Sequence, residues 1–502
     1  MHRKAKMSFS TEPRSSGPRS FCSPSRAGRA VLSILVAALL SACQTLYPNV
    51  ALPPGASNQL ISVQLPDTAD DPVILMAFSG GGTRAAALSY AILHEFNQYF
   101  YQSHGRTVTL LDQVRLISSV SGGSVTAGYY GLAKDNDLEQ FPARFLERDN
   151  MKTLEWTVAN PITWFRLTSG SYTRIDVMKD LLDRELFHGQ TFQTTPEASR
   201  PVVILNATDM ASGEVFAFTP QRFNDLCSDL VQLPVSVGVV ASAAFPVALS
   251  PVDLKNYSGE ACRGAIPTDH WIAADLKETS VTRYLDVEEY KRARYANALR
   301  RGPNAFRKID YIHLLDGGVA DNQGVHSLLD AIVSPHGPVH LLDAINRGEV
   351  KNIVVVSVNA RSDPASNLDQ QARTPGVIDM IKTVTSVPID AETASVNANL
   401  QLLIDTLSQA GRFAKEGNPK FAGLRVYGIQ IDFDQLLDSQ TALRNQVKGI
   451  GTSWTVSADD LKAIYEAGGL LLRQHPCFQR LVLDLRIQGR LPETIHADAC
   501  GP

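Results

Sequence analysis

An α/β fold with a mostly parallel central sheet is what this sequence predicts, and three observations carry the prediction. A buried-strand run, a Gly-rich turn and a helical periodicity follow one another twice early in the chain. Further apolar runs of strand length recur, separated by helical patterns, as far as Val358. Beyond that point helical patterns predominate, as a helical C-terminal extension requires.

The first unit opens with the apolar run Val73 to Phe78, passes through Ser79-Gly80-Gly81-Gly82, and continues at helical spacing from Thr83 to Phe96. The second pairs a strand over Val114 to Ser118 with a tight turn, Ser119 to Ser124, and a helix over Val125 to Leu132. Repetition of strand, turn and helix gathers the turns on one edge of the sheet. Additional buried strands are predicted at Pro201 to Asn206, Glu214 to Phe218, Asp310 to Leu315, Asn352 to Val358 and Arg425 to Phe433. The polar stretch Asn256 to Asn304 reads as an insertion, helical from Val287 to Leu299, and Leu400 to Phe413 and Ala458 to Leu472 are the clearest late helices. One domain is therefore expected over 72–502, with a core at 72–358 and an extension at 359–502.

A chain of 502 residues, 44% hydrophobic and 20% charged, is long and apolar enough to bury a large core. Its 47 basic and 51 acidic residues leave a net charge of -4, which gives no electrostatic case for nucleic acid, a ligand that wants a basic face.

Residues 1–43 are not expected to belong to the fold. Arg3, Lys4, Lys6, Arg14, Arg19, Arg26 and Arg29 precede an apolar run from Ala30 to Leu40, too short for a bilayer span of ~20 residues but suited to an export signal. The run ends in Leu40-Ser41-Ala42-Cys43, which resembles the lipobox of bacterial lipoproteins, with Met7 as an alternative start. That resemblance implies lipidation of Cys43, removal of the preceding peptide and anchoring in a membrane, and Gln44 favours the outer membrane. The alternative is a plain signal peptide with Cys43 incidental. Residues 44–71, rich in Pro, Ser, Asn and Asp, are expected to form a tether. Cys43→Ser should move the protein out of the membrane fraction, and unchanged fractionation would place the anchor elsewhere.

The chain has six cysteines, and setting aside Cys22 and Cys43 leaves Cys227, Cys262, Cys477 and Cys500, an even number for an oxidising compartment. Pairing Cys227 with Cys262 and Cys477 with Cys500 closes the shortest loops and is one of three connectivities. No Cys-x-x-Cys or Cys/His cluster suggests zinc, and neither metal nor cofactor is expected.

Three short segments carry chemistry. Ser118-Ser119-Val120-Ser121-Gly122-Gly123-Ser124 lies between strand and helix, where a sharp turn thrusts Ser121 out of the sheet edge as a nucleophile. The usual pattern is Gly-x-Ser-x-Gly, and here Ser119 replaces the leading glycine. Read without its neighbours, the segment is also a helix start capped by serine. Gly80-Gly81-Gly82 turns successive N–H groups towards one point, a cradle for developing negative charge. No Gly-Lys-Ser/Thr follows, so it is not a phosphate-binding loop, and Arg84 is expected to form a surface ion pair. Asp316-Gly317-Gly318 ends the predicted strand Tyr311 to Leu315, placing a carboxylate at the sheet edge.

In order and separation these segments resemble the patatin-like phospholipase family, from Pro72 to about Val358. Asn206-Ala207-Thr208-Asp209 and Ala241-Ser242-Ala243-Ala244-Phe245-Pro246 also resemble segments of that family, although Asn206 and Asp209 read as a hairpin turn rather than catalytic groups. The resemblance implies a three-layer fold and a serine acyl hydrolase cleaving phospholipids or other lipid esters through an acyl-enzyme. It assigns Ser121 as nucleophile and Asp316 as base with no catalytic histidine, and Gly80, Gly81, Gly82 and Gly122 as the oxyanion hole. Ser79 and Ala85 depart from the family pattern at side chains that an N–H cradle does not use.

Two other readings compete. One is an α/β-hydrolase triad completed by His475 or His496; the other is a surface lipoprotein that binds lipid or a partner without catalysis. Trp156, Trp164, Phe165 and Tyr172 read either as a membrane-facing lid or as core packing, and the pattern favours the core.

Overall fold

The computed structural model describes residues 47–59, 63–134, 136–168, 172–192, 200–246, 249–259, 284–301, 305–333, 341–362, 397–409 and 423–500. The export signal, Cys22, Cys43, Cys262 and most of the expected insertion lie outside them.

Ten strands are present among the described residues: β1 Pro72–Phe78, β2 Phe100–Ser103, β3 Arg106–Thr109, β4 Val114–Val120, β5 Val202–Asp209, β6 Val215–Ala217, β7 Val252–Lys255, β8 Tyr311–Asp316, β9 Asn352–Asn359 and β10 Arg425–Asp432. Eight form one sheet in the order β10-β9-β1-β4-β5-β8-β7, with β6 paired to β5, while β2 and β3 form a separate hairpin. From β10 to β5 every pairing is parallel; β6, β7 and β8 pair antiparallel. The α/β class and the mostly parallel sheet expected from the sequence are thus observed.

The strands are apolar throughout because both faces are covered. Alternation splits β1 between two cores: Ile74, Met76 and Phe78 enter one, Val73, Leu75 and Ala77 the other. On the first face lie α1 (Gly82–Asn97), α2 (Gly122–Leu132), α5 (Val235–Ser242) and α7 (Ala458–Gln474). On the second lies α6 (Val325–Val333), which buries Val325, Leu328, Leu329 and Ile332. This is a three-layer arrangement.

Residues past Val358 join these layers. β10 extends the sheet beside β9 over eight registered pairs from Arg425↔Asn352 to Asp432↔Asn359. α7 lies against α1, and α8 (Pro476–Asp484) follows it, tied to the chain end by a Cys477–Cys500 disulfide. That pairing is the expected one. Cys227 is disulfide-bonded, and its expected partner lies outside the described residues.

Residues 47–59, expected as part of a tether, lie against the body instead. Asn49 Nδ2 donates to Ser228 Oγ at 3.0 Å and Lys255 O at 2.8 Å, and Asn58 Nδ2 donates to Ser228 O at 2.8 Å. A polar composition suggested a solvated linker; hydrogen-bonded burial of its amides overrides that reading.

Candidate active site

The sheet reverses direction at β5, and that reversal builds the site. β4 pairs with the first part of β5 up to Val120↔Asn206, and β5 then runs on to Asp209. β8 pairs antiparallel with that overhang, with Ala207 opposite Asp316. Asp316 therefore ends an antiparallel strand one register step from the turn after Val120, which brings it within reach of Ser121. Its N–H donates to Ala244 O at 2.9 Å, fixing the strand end against the segment after α5.

Ser121 sits in the turn between β4 and α2 with φ 51 and ψ -121, a conformation that costs a non-glycine residue ~1–3 kcal/mol. Its Oγ donates to Asp316 Oδ2 at 2.8 Å. Both residues are buried. The other carboxylate oxygen accepts the Gly318 N–H at 2.8 Å, so Asp316 presents one oxygen to the serine and is held by the other. Burial pushes the Asp316 carboxyl up to about 6, against the downward pull of its bonds from Gly318 N–H and the Ser121 hydroxyl.

The strained turn is secured from behind. Ser242 Oγ accepts the Ser121 N–H at 2.9 Å and donates to Asn206 O at 2.6 Å. Asn206 Nδ2 donates to Ser118 Oγ at 2.9 Å and Ser119 O at 3.1 Å, while its Oδ1 accepts Ser327 Oγ at 2.6 Å. Asn206 is thus a strand residue bracing the elbow, which corrects its reading as a turn. Asp209 does hold the turn into β6, accepting Ala211 N at 2.9 Å and Ser212 Oγ at 2.8 Å. Ser119, the departure from the elbow pattern, is accommodated: its Oγ accepts Ser124 Oγ at 3.0 Å and donates to Ile204 O at 3.4 Å.

Glycine is required where the elbow meets the glycine loop. A Cβ on Gly122 would stand 1.9 Å from Gly82 O, and one on Gly123 would stand 2.7 Å from Ser79 O. Gly82 and Gly122 are the first residues of α1 and α2, so two helix N-termini converge here, and the N–H groups of a first turn have no partner within their own helix. The N–H groups of Gly81, Gly82 and Gly122 have no protein acceptor among the described residues. Gly80 differs from its expected role: its N–H donates to Asn322 O at 2.9 Å, which removes it from the cradle. Asn322 was not singled out from the sequence, although it follows Asp316-Gly317-Gly318 closely. A Cβ on Gly80 or Gly318 would meet its Oδ1 at 2.6 and 2.8 Å.

Other expected residues lie elsewhere. Arg84 forms no surface pair: it is 3% exposed, its Nε donates to Ala360 O at 2.7 Å, and another guanidinium nitrogen donates to Ile450 O. Burial lowers its guanidinium to about 10. His475 caps α8, its Nδ1 accepting the Cys477 N–H at 3.2 Å while its Nε2 lies 3.3 Å from Gln430 N; burial holds it down at about 4. His313 faces Asp253 Oδ1 at 2.6 Å, and the backbone N–H of His496 donates to Gln479 Oε1 at 2.6 Å. No histidine completes a triad at Ser121 among the described residues. Trp156, Trp164 and Phe165 are 70%, 64% and 73% exposed, which overturns the core reading for three of the four aromatics. Tyr172 alone of the group is buried.

The model of the patatin-like phospholipase family matches residues 76–329, about half of the chain, a span that holds Gly80, Gly81, Gly82, Ser121, Gly122 and Asp316. Among solved structures, human GIVD cytosolic phospholipase A2 is similar at 12% identity and a TM-score of 0.39, covering 83% of this chain and 60% of that one. Its complex with methyl gamma-linolenyl fluorophosphonate has the same identity and TM-score, with 83% and 59% covered. This chain thus spans about 60% of the length of those structures. No curated protein matches it by sequence. From its glycine loop to the helix after Asp316, and on the strength of the family match, the chain belongs to the patatin-like phospholipase family.

Proposed function

We propose that this protein cleaves carboxylic esters of lipids through a serine–aspartate dyad and an acyl-enzyme, in the manner of a phospholipase A, lysophospholipase or lipid esterase. Family membership places it among lipid acyl hydrolases in general. The observation that carries the finer reading is the Ser121 Oγ to Asp316 Oδ2 hydrogen bond of 2.8 Å, made by a serine held in a strained turn beside unpartnered N–H groups.

The chemistry follows from these positions. Ser121 Oγ forms a bond to the ester carbonyl carbon as its proton passes to Asp316 Oδ2. Negative charge develops on the carbonyl oxygen and is received by the unpartnered N–H groups of Gly81, Gly82 and Gly122. Collapse breaks the bond to the leaving oxygen, which takes the proton from Asp316, and leaves an acyl-serine. Water then adds to the acyl carbon while giving its proton to Asp316, and expulsion of Ser121 Oγ, which regains that proton, completes the cycle. A carboxylate raised to about 6 is a stronger base than an exposed one yet remains mostly ionised at neutral pH.

A fluorophosphonate probe tests this reading. Covalent labelling is expected in the wild type and absent in Ser121→Ala. Because ionised Asp316 is the active form, the labelling rate should fall as pH drops through about 6. A folded wild type that resists labelling would refute catalysis and leave a lipid-binding lipoprotein. For location we propose export and retention at a membrane, on the outer-membrane side, through lipid on Cys43; the support is the lipobox-like sequence ending there.

A further inference from the structure

A lipid hydrolase must meet substrate that is held in a bilayer, so one of its surfaces has to touch that bilayer. Helices α3 (Asn150–Ala159) and α4 (Pro161–Thr168) form a hairpin joined at Asn160. Leu154 of α3 packs partly against the main core, which seats the hairpin. Its outer side carries Trp156, Ile162, Trp164 and Phe165, the last three on a helix that buries no residue at all. Four large apolar side chains at 64 to 74% exposure on ten residues of chain form a patch of the kind that marks an interaction surface.

Three features bear on what covers it. Tryptophan rings suit the boundary between headgroups and acyl chains, where an apolar body and an N–H are both satisfied. Charge does not oppose it: the single charge on α4 is Arg166, with its guanidinium 3.7 Å over the Tyr172 ring, and on α3 the exposed Lys152 is balanced by the exposed Glu155. Beside Trp156 opens a cleft of about 590 Å³ whose lining mixes polar and apolar side chains and includes Lys152, Asn160 and Arg148, the last paired with Glu185, a size and mix that suit a lipid headgroup. Asp149, also in that lining, is engaged with the α3 start, accepting Lys152 N at 3.0 Å and Thr455 Oγ1 at 3.1 Å.

The hairpin is also continuous with the candidate active site. Met151 N donates to Thr455 Oγ1 at 2.9 Å, and Ser453 O, two residues earlier, accepts Thr83 N at 2.8 Å. The same oxygen would lie 2.4 Å from a Cβ on Gly82. One short segment therefore links the root of the hairpin to the glycine loop. We propose that the α3–α4 hairpin docks the enzyme on a phospholipid bilayer, inserting Trp156, Ile162, Trp164 and Phe165 beside the mouth of the site. This rests on the lipid-ester reading of that site.

The test uses the full chain on vesicles of equal phosphatidylcholine and phosphatidylglycerol carrying brominated acyl chains, which quench tryptophan at the interface. The chain has 4 tryptophans, and Trp156→Phe with Trp164→Phe assigns the signal by removing most of the quenching. Ile162→Ser with Phe165→Ser, both exposed positions, keeps the fold by thermal melting and should cut quenching by about half or more, since each buried apolar side chain contributes to insertion. Ser121→Ala should be quenched like the wild type, so loss of the proposed chemistry and loss of docking are separable. Equal quenching in the Ile162/Phe165 variant, or none in the wild type, would overturn the proposal. So would a dimer in sedimentation that this variant alone dissolves, because the face would then belong to a second copy.

Discussion

Replacing Ser121 with Ala or Asp316 with Asn is expected to lower kcat on a chromogenic acyl ester by roughly 10³–10⁵-fold each, with the double variant little worse than either. The two side chains meet in one hydrogen bond, so removing either one ends proton transfer from Oγ, and the second loss removes nothing further. Stability should move the other way. A carboxyl raised from 3.8 to about 6 on folding stabilises the fold fully below its unfolded value, and that contribution is lost as pH rises through about 6. Asparagine keeps an acceptor for the Gly318 N–H and carries no charge to desolvate. Asp316→Asn is therefore expected to gain on the order of 2 kcal/mol near pH 8, checked by denaturant unfolding. His313→Gln should keep most activity, since its ring faces Asp253 rather than Ser121. Full activity in a folded Asp316→Asn protein would remove Asp316 from the mechanism.

Gly122→Ala is expected to cost ~10²–10³-fold in kcat, comparable to losing an oxyanion donor. Its new methyl group would have to occupy space 1.9 Å from Gly82 O, so either the elbow or the glycine loop must shift. Both helix N-termini that supply the N–H cradle are displaced in that event. Gly449→Ala is the control: nothing lies within 4 Å of its Cβ, and kcat should stay within about twofold. Equal activity in the two variants would show that the convergence of Gly82 and Gly122 does not build the oxyanion site.

Local chemistry made much of this site readable. A strand, a small-residue turn and a helix are each encoded within a few residues, so Ser121, the glycine loop and Asp316-Gly317-Gly318 stand out without knowledge of partners. Ser242, Asn206 and Asn322 did not, because each acts on a residue far away in sequence: Ser242 holds the Ser121 N–H across 121 positions and Asn206 braces Ser118 across 88. Their only local signal was membership in segments that resemble the family. Gly80 shows the converse: three adjacent glycines look equivalent in sequence, and a carbonyl from Asn322 sets one apart.

By itself the sequence determined the α/β class and the glycine turns and pointed to Ser121 and Asp316 as candidates, because hydrophobic period and turn chemistry are properties of neighbouring residues. Tertiary structure decided the reversal at β5 that brings β8 in antiparallel and lays Asp316 beside Ser121. It also decided that Arg84 is buried on two carbonyls while Trp156, Trp164 and Phe165 face outward. Burial depends on what the rest of the chain places opposite a side chain, and a helical pattern reads the same whether its apolar residues meet a core or stand open.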